Sequence, residues 1–313
     1  MTSIHRSDPT IGLVIASYQS AQFIDQTLAS VAAQTRLPDR VVVVDDASTD
    51  GTAKQARRWS DLLPLEVLEL PTNGGVARAR NAGVAQLNTE LVAVLDGDDV
   101  LLPDHLALLA EIQARRGGIV SPRALFWVPG HRTRPYQRWL RGFHPPRTRQ
   151  LERLVQRNYV FVASLLPRVA FDSVAGFTEG DRAQDTTADW DLWLKLAAGG
   201  CHISLAPVPS VLYRLVPGSM ADDPRHLLRC EITQLERSRS FLPTAMADTI
   251  EKALDRRRAE LTMLHLTAQG RRADVAHFAA SRQAGDWRNR ARGVAHALAP
   301  TVARRRVRRR GSW

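Results

Sequence analysis

The sequence predicts an α/β fold: a mostly parallel, doubly wound sheet flanked by helices, followed by a C-terminal helical extension. Three observations lead there. Continuous apolar runs recur at Ile11 to Ala16, Val41 to Val44 and Leu91 to Leu95, as strands buried on both faces require. Amphipathic stretches separate them, which is the strand and helix alternation of a parallel sheet. Past about residue 225 the texture changes to long Arg-, Ala- and Leu-rich helical patterns with charge on the outer face. The chain therefore divides into residues 1–224, a helical extension over 225–300, and an arginine-rich tail over 301–313.

Taken in order, Ile11 to Ala16 is the first strand, and Phe23, Thr27, Leu28 and Val31 recur at helical spacing before Leu37 and Pro38 end that segment. Val41 to Val44 is the second strand. Capping side chains at Ser48, Thr49 and Asp50 precede a helix over Ala53 to Trp59, and a third strand follows at Leu65 to Leu70. Asn73, Gly74 and Gly75 make a turn, Val76 to Gln86 reads as helix, and Leu91 to Leu95 is another buried strand. Between Arg132 and Arg149 the chain is rich in Arg, Pro and aromatic residues without a period, which reads as a loop over a site.

Composition narrows the classes. The chain has 313 residues, 44% of them hydrophobic, which suits a folded globular protein. Its apolar runs fall far short of the roughly 20 residues a membrane-crossing helix needs, and residues 1–10 lack the pattern of a secretory leader, so a cytoplasmic protein is expected. Cys201 and Cys230 indicate neither a disulfide framework nor a zinc site. The net charge of +11 is unevenly placed, because Ala303 to Arg310 is almost pure arginine. That run reads either as a solvated terminus or as a contact to a polyanion such as nucleic acid or an anionic membrane surface.

The sharpest chemical signal is a set of carboxylates directly after two strands: Asp45 and Asp46 after Val44, and Asp96, Asp98 and Asp99 after Leu95. In open α/β sheets ligands bind at the carboxyl ends of strands. Five carboxylates there repel one another unless a cation compensates, and a hard divalent ion bridging carboxylates to substrate phosphates meets that need.

These motifs, in order, resemble the signature of family 2 glycosyltransferases with a GT-A fold. The resemblance rests on Val14 to Tyr18, Gln34 and Thr35, Val44 to Thr52, Asn73 to Gly83 and Leu95 to Asp99. It covers roughly residues 10–220. It implies that residues 1–224 are a catalytic domain, and that Ala16, Tyr18 and Asp46 line the nucleoside pocket of a UDP-, GDP- or dTDP-sugar donor. Asp96 and Asp98 would form the Asp-x-Asp element, holding Mn²⁺ or Mg²⁺ against the diphosphate, with Asp99 assisting. Arg78 and Arg80 would either neutralise phosphate or serve as helix-surface charges.

Farther on, Gly176, Phe177 and Asp189 to Trp193 are similar to the family's second half. There Asp189 corresponds to a general base, which takes the proton of the acceptor hydroxyl in an inverting single displacement. The plainer reading makes Asp189 the cap of a helix starting at Trp190. Position 188 is Ala where the family usually has Glu, Gln19 stands where Asn is usual, and Val216 departs from a pattern that often places a His after the Tyr213-Arg214 pair. Asp191 is the fallback base. Gln137, Arg138 and Trp139 lack the spacing of processive polysaccharide synthases, so addition of single sugars to a glycan or lipid-linked acceptor is expected, with peripheral contact at the inner face of an anionic membrane. The alternative is a catalytically inactive scaffold of the same fold that binds a polyanion through its arginine-rich tail.

Overall fold

The structure is a computed structural model and describes residues 8–135, 147–180, 186–216 and 223–269. The arginine-rich tail, residues 270–300 of the extension, Gln137 to Trp139 and residues 217–219 lie outside the described residues. The chain separates into two compact units, one of residues 1–154 and 158–216, the other of residues 155–157 and 217–313.

The larger unit begins as the apolar runs require. Strand β1 (Ile11–Ser17) has every residue buried. Helix α1 (Ile24–Ala32) follows, and β2 (Arg40–Asp45) pairs parallel to β1. Helix α2 (Thr52–Ala56), preceded by the Asp50 carboxylate that accepts from the Thr52 N–H at 3.1 Å, leads to β3 (Leu65–Glu69). Helix α3 (Val76–Ala85) returns to β4 (Leu91–Asp96), which lies parallel to β1 on its other side.

The remaining strands are mixed in direction. They are β5 (Val100–Leu101), β6 (Ile119–Trp127), β7 (Arg134–Pro135), β8 (Leu165–Pro167) and β9 (Ile203–Arg214). Among the described residues the sheet runs β3, β2, β1, β4, β8, β6, β9, β5, with β7 paired to β6. β8 is antiparallel to β4 and β6, while β6 and β9 are parallel, with register shifts around Arg123. Helices α4 (His105–Arg116), α5 (Gln150–Gln156), α6 (Arg168–Ser173) and α7 (Ala188–Ala198) complete the layers.

One glycine sets how closely α3 rides on the sheet. A Cβ at Gly83 would stand 2.4 Å from Val14 Cγ1 and 2.9 Å from Val44 Cγ2, so only a hydrogen fits between the helix and the two strands that carry the nucleoside-pocket candidates. Gly83→Val is expected to destabilise by about 1–3 kcal/mol through overpacking, read as a lower urea midpoint with an unchanged slope.

In the smaller unit, α8 (Pro224–Ser238) starts at Asp223, whose side chain accepts from the Arg225 N–H, with proline in the first turn. It packs with α9 (Ala247–Ala268) around an ion pair of the buried Arg257 with the half-buried Glu231, Nε to Oε2 at 2.5 Å, and Arg257 also donates to the Gln156 carbonyl at 3.0 Å. Among the described residues no helix is long and apolar enough to cross a membrane.

Candidate active site

The candidate residues gather where β1, β2 and β4 end. Ala16 is in register with Asp96 and Ser17 with Asp45. The bonding to β1 continues one residue past each neighbouring strand: the Asp46 N–H donates to Ser17 O at 2.9 Å and the Gly97 N–H to Ala16 O at 2.9 Å. The parallel sheet thus sets Ala16, Asp46 and Asp96 side by side at one edge.

Asp46 is buried, and its two carboxylate oxygens accept from the Gly74 and Gly75 N–H groups, each at 2.8 Å. Gly75 has φ of 91°, a conformation glycine adopts without strain. Two of the carboxylate's roughly four acceptor sites are occupied this way, which ties the turn before α3 to the end of β2. Its neighbour Asp45 makes a close hydrogen bond with the Ser48 hydroxyl, while burial holds its carboxyl above the usual range. Tyr18 stands 51% exposed on the adjoining loop. Gln19 secures that loop: its N–H donates to Ser48 Oγ at 2.9 Å and its side-chain amide to Thr49 Oγ1 at 3.0 Å.

Of the two arginines on α3, Arg80 is not a surface charge. It is 5% exposed, pairs with Asp96 Oδ1 at 2.7 Å, and lies over the Phe177 ring at 5.3 Å. Asn81 fixes that ring's backbone, donating to Phe177 O at 2.8 Å and accepting from Phe177 N–H at 3.0 Å. Arg78 is half-buried, with one guanidinium nitrogen 3.4 Å from Thr72 Oγ1.

The Asp96 to Asp99 turn faces two ways. Asp96 and Asp98 keep part of their surface open, whereas Asp99 is fully buried. Burial, followed by the nearby Asp96 charge, pushes the Asp98 carboxyl up to about 6. Asp99 turns inward and accepts from the Arg214 N–H at 2.9 Å. The Arg214 guanidinium backs the turn, donating to Asp98 O at 2.6 Å and Gln26 Oε1 at 2.7 Å between the Phe23 and Trp127 rings. Arg214→Gln is expected to lower stability by about 2–4 kcal/mol through lost stacking and unsatisfied buried acceptors, measured by thermal melting. Arg214→Lys is expected to recover little of it, since an ammonium cannot reproduce the planar fork.

Asp189 lies in the first turn of α7, which begins at Ala188 with Thr187 at the N-cap. It therefore sits one residue inside the helix instead of capping one that starts at Trp190. Its Oδ1 accepts from the adjacent Trp190 N–H at 2.7 Å and its Oδ2 from Asn158 Nδ2 at 3.2 Å. Burial raises the carboxyl to about 6, opposed by the Arg80 charge and both hydrogen bonds and reinforced by Asp96. Arg80 thereby links the β4 turn to Asp189 electrostatically. Asp191 is engaged elsewhere, with Lys195 Nζ and Thr178 Oγ1 each 2.6 Å from its Oδ2.

Asp96 and Asp98 fit a hard divalent ion, which would offset the burial and the Asp96 charge that together raise Asp98. Among the described residues no three His, Cys, Asp or Glu side chains come together to hold a metal. Two carboxylates completed by substrate phosphate oxygens and water form the donor set such an ion takes.

Residues 13–174, just over half of the chain, match the model of glycosyl transferase family 2. The chain belongs to this family. The uncharacterized glycosyltransferase YwdF of Bacillus subtilis is 28% identical over 206 residues, covering 65% of this chain and 73% of that protein. The succinoglycan biosynthesis protein ExoO of Rhizobium meliloti is 37% identical over 103 residues, which is 33% of this chain and 29% of ExoO. Solved structures share the GT-A fold of this family 2 glycosyltransferase. The mannosyltransferase PcManGT of Pyrobaculum calidifontis, in complex with GDP-Man and Mn²⁺, aligns with a TM-score of 0.62 at 18% identity over 95% of this chain and 87% of its own. Staphylococcus aureus TarS residues 1–349 with UDP align with a TM-score of 0.55 at 20% identity, over 82% and 72%.

Proposed function

We propose that this glycosyltransferase is non-processive and inverting, and transfers one sugar from a UDP-, GDP- or dTDP-sugar to a hydroxyl of a glycan or lipid-linked acceptor. The observation that carries the reading is the placement of Asp46 at the end of β2 and of Asp96 and Asp98 at the end of β4, the two parallel neighbours of β1, with Arg80 joining Asp96 to the field at Asp189. The mannosyltransferase PcManGT, whose structure carries GDP-Man and Mn²⁺, supports a nucleotide-sugar donor and a divalent ion. ExoO's role in succinoglycan biosynthesis supports a cell-envelope polysaccharide as the product.

In this reading Ala16, Tyr18 and Asp46 bind the nucleoside, Asp46 with the acceptor capacity that Gly74 and Gly75 leave open. Asp96 and Asp98 hold Mn²⁺ or Mg²⁺, which supplies charge to stabilise the leaving diphosphate. Arg80, pinned by Asp96 and Phe177, adds fixed positive charge beside the same carboxylates. Asp189 accepts the proton of the acceptor hydroxyl as that oxygen bonds to the anomeric carbon and the bond to the diphosphate oxygen breaks. Configuration inverts in one displacement, and no covalent enzyme intermediate forms.

The test is to incubate the purified protein with UDP-, GDP- and dTDP-sugars, with and without acceptor glycans, and measure release of nucleoside diphosphate. Release from one nucleotide class in Mn²⁺ or Mg²⁺, stopped by EDTA, is the expected result. No release from any of the donors contradicts the proposal.

A further inference from the structure

Asn158 follows α5 and opens the buried segment Tyr159 to Ala163. Both sides of it are anchored. The Trp190 indole N–H donates to Leu154 O at 2.9 Å, and the Phe161 N–H to Ser121 Oγ at 2.9 Å. The Asn158 amide is also oriented by its own backbone, because its Oδ1 accepts from the Val160 N–H at 3.1 Å. That contact identifies the oxygen end of the amide. The NH₂ end accordingly points at Asp189 Oδ2, 3.2 Å away across 31 residues of sequence.

We propose that Asn158 is the positioning residue of Asp189, fixing the rotation of its carboxylate and favouring its ionised form. The inference rests on the reading of Asp189 as general base. Position 188, directly before Asp189, is Ala and offers no polar group, so this side-chain contact reaches Asp189 from a different element. Trp190 N–H holds Oδ1 and Asn158 holds Oδ2, which stops the carboxylate from rotating and leaves its remaining lone pairs aimed in fixed directions. A donor that cannot itself accept a proton stabilises the charged carboxylate over the neutral acid. The charged groups acting on Asp189 are Arg80 on α3, which favours ionisation, and Asp96 at the end of β4, which opposes it.

The experiment is a pH titration of ¹³C-carboxyl aspartate signals in the full chain, without substrate, with Asp189→Asn used to identify the Asp189 signal. Asn158→Ala is expected to raise the Asp189 midpoint by about half a pH unit or more, the loss of one hydrogen bond of ordinary strength. Asn158→Asp retains an oxygen for the Val160 N–H, so the turn survives, but it replaces the donor with a like charge. It is expected to raise the midpoint further than the alanine variant does. A carboxylate at position 158 repels Asp189 whatever the native amide does, so the alanine variant decides: an Asn158→Ala midpoint within about 0.2 pH units of the wild type overturns the proposal, even where Asn158→Asp moves. If the midpoints move as expected but Asp189→Asn keeps full donor turnover, Asn158 positions the carboxylate while the base reading itself fails.

Discussion

Asp189→Asn is expected to lower turnover by about 10²–10⁴-fold, the range of a lost general base, with nucleotide binding unchanged. The amide keeps the volume of the carboxylate and removes its basicity. The wild-type rate carries a matching pH signature. With the Asp189 carboxyl raised to about 6, the active ionised form is lost as pH falls through that value. At saturating Mn²⁺, which would keep Asp98 ionised, the rate should drop tenfold per unit below it and be level above, and this limb should vanish in the variant. The stability sign runs the other way: a carboxyl whose folded value exceeds the unfolded one loses stability as pH rises through the interval between them. Replacing Asp189 by Asn removes that charge penalty but leaves one of its two donors, the Trp190 N–H or the Asn158 amide, facing an NH₂ in place of an acceptor. The melting temperature at pH 7 is therefore expected to change little, which separates loss of chemistry from loss of fold.

Asp98→Ala is expected to abolish metal-dependent nucleotide binding. In the wild type a nucleoside diphosphate at 100 times its dissociation constant adds about 2.7 kcal/mol of stability. In the variant the added Mn²⁺ is expected to make no difference to the melting temperature at the same nucleotide concentration. Asp96 alone, already paired with Arg80 at 2.7 Å, leaves one carboxylate where the ion needs two.

The parallel half of the fold was legible because β1, β2 and β4 are buried on both faces and therefore read as unbroken apolar runs. The half whose strands are mixed in direction was not. Pro122 interrupts β6, and Pro207 and Pro209 interrupt β9, residues that normally argue against an interior strand. Here they fall near the register shifts around Arg123. β8, only three residues long, exists because its neighbours β4 and β6 are there to pair with. The same division holds at the site. Asp46, Asp96, Asp98 and Asp189 were readable as motif positions, and the inward turn of Asp99 was not. Arg214 donates to Asp98 O across 116 residues and Asn158 to Asp189 across 31. Neither spacing is a local pattern, so their partners follow only from the folded sheet. Arg80 was visible as a charge on a helix, but its burial against Phe177 depends on Asn81 gripping a segment 96 residues away.

The central claim is that the ends of β1, β2 and β4 form a metal-assisted nucleoside diphosphate site. Its most direct test is the melting temperature of the purified wild-type protein with UDP, GDP, dTDP and CDP, each in Mn²⁺ and in EDTA. A rise with one nucleotide that appears only in Mn²⁺ is the predicted result. No rise with any nucleotide, or a rise that EDTA leaves intact, would contradict it.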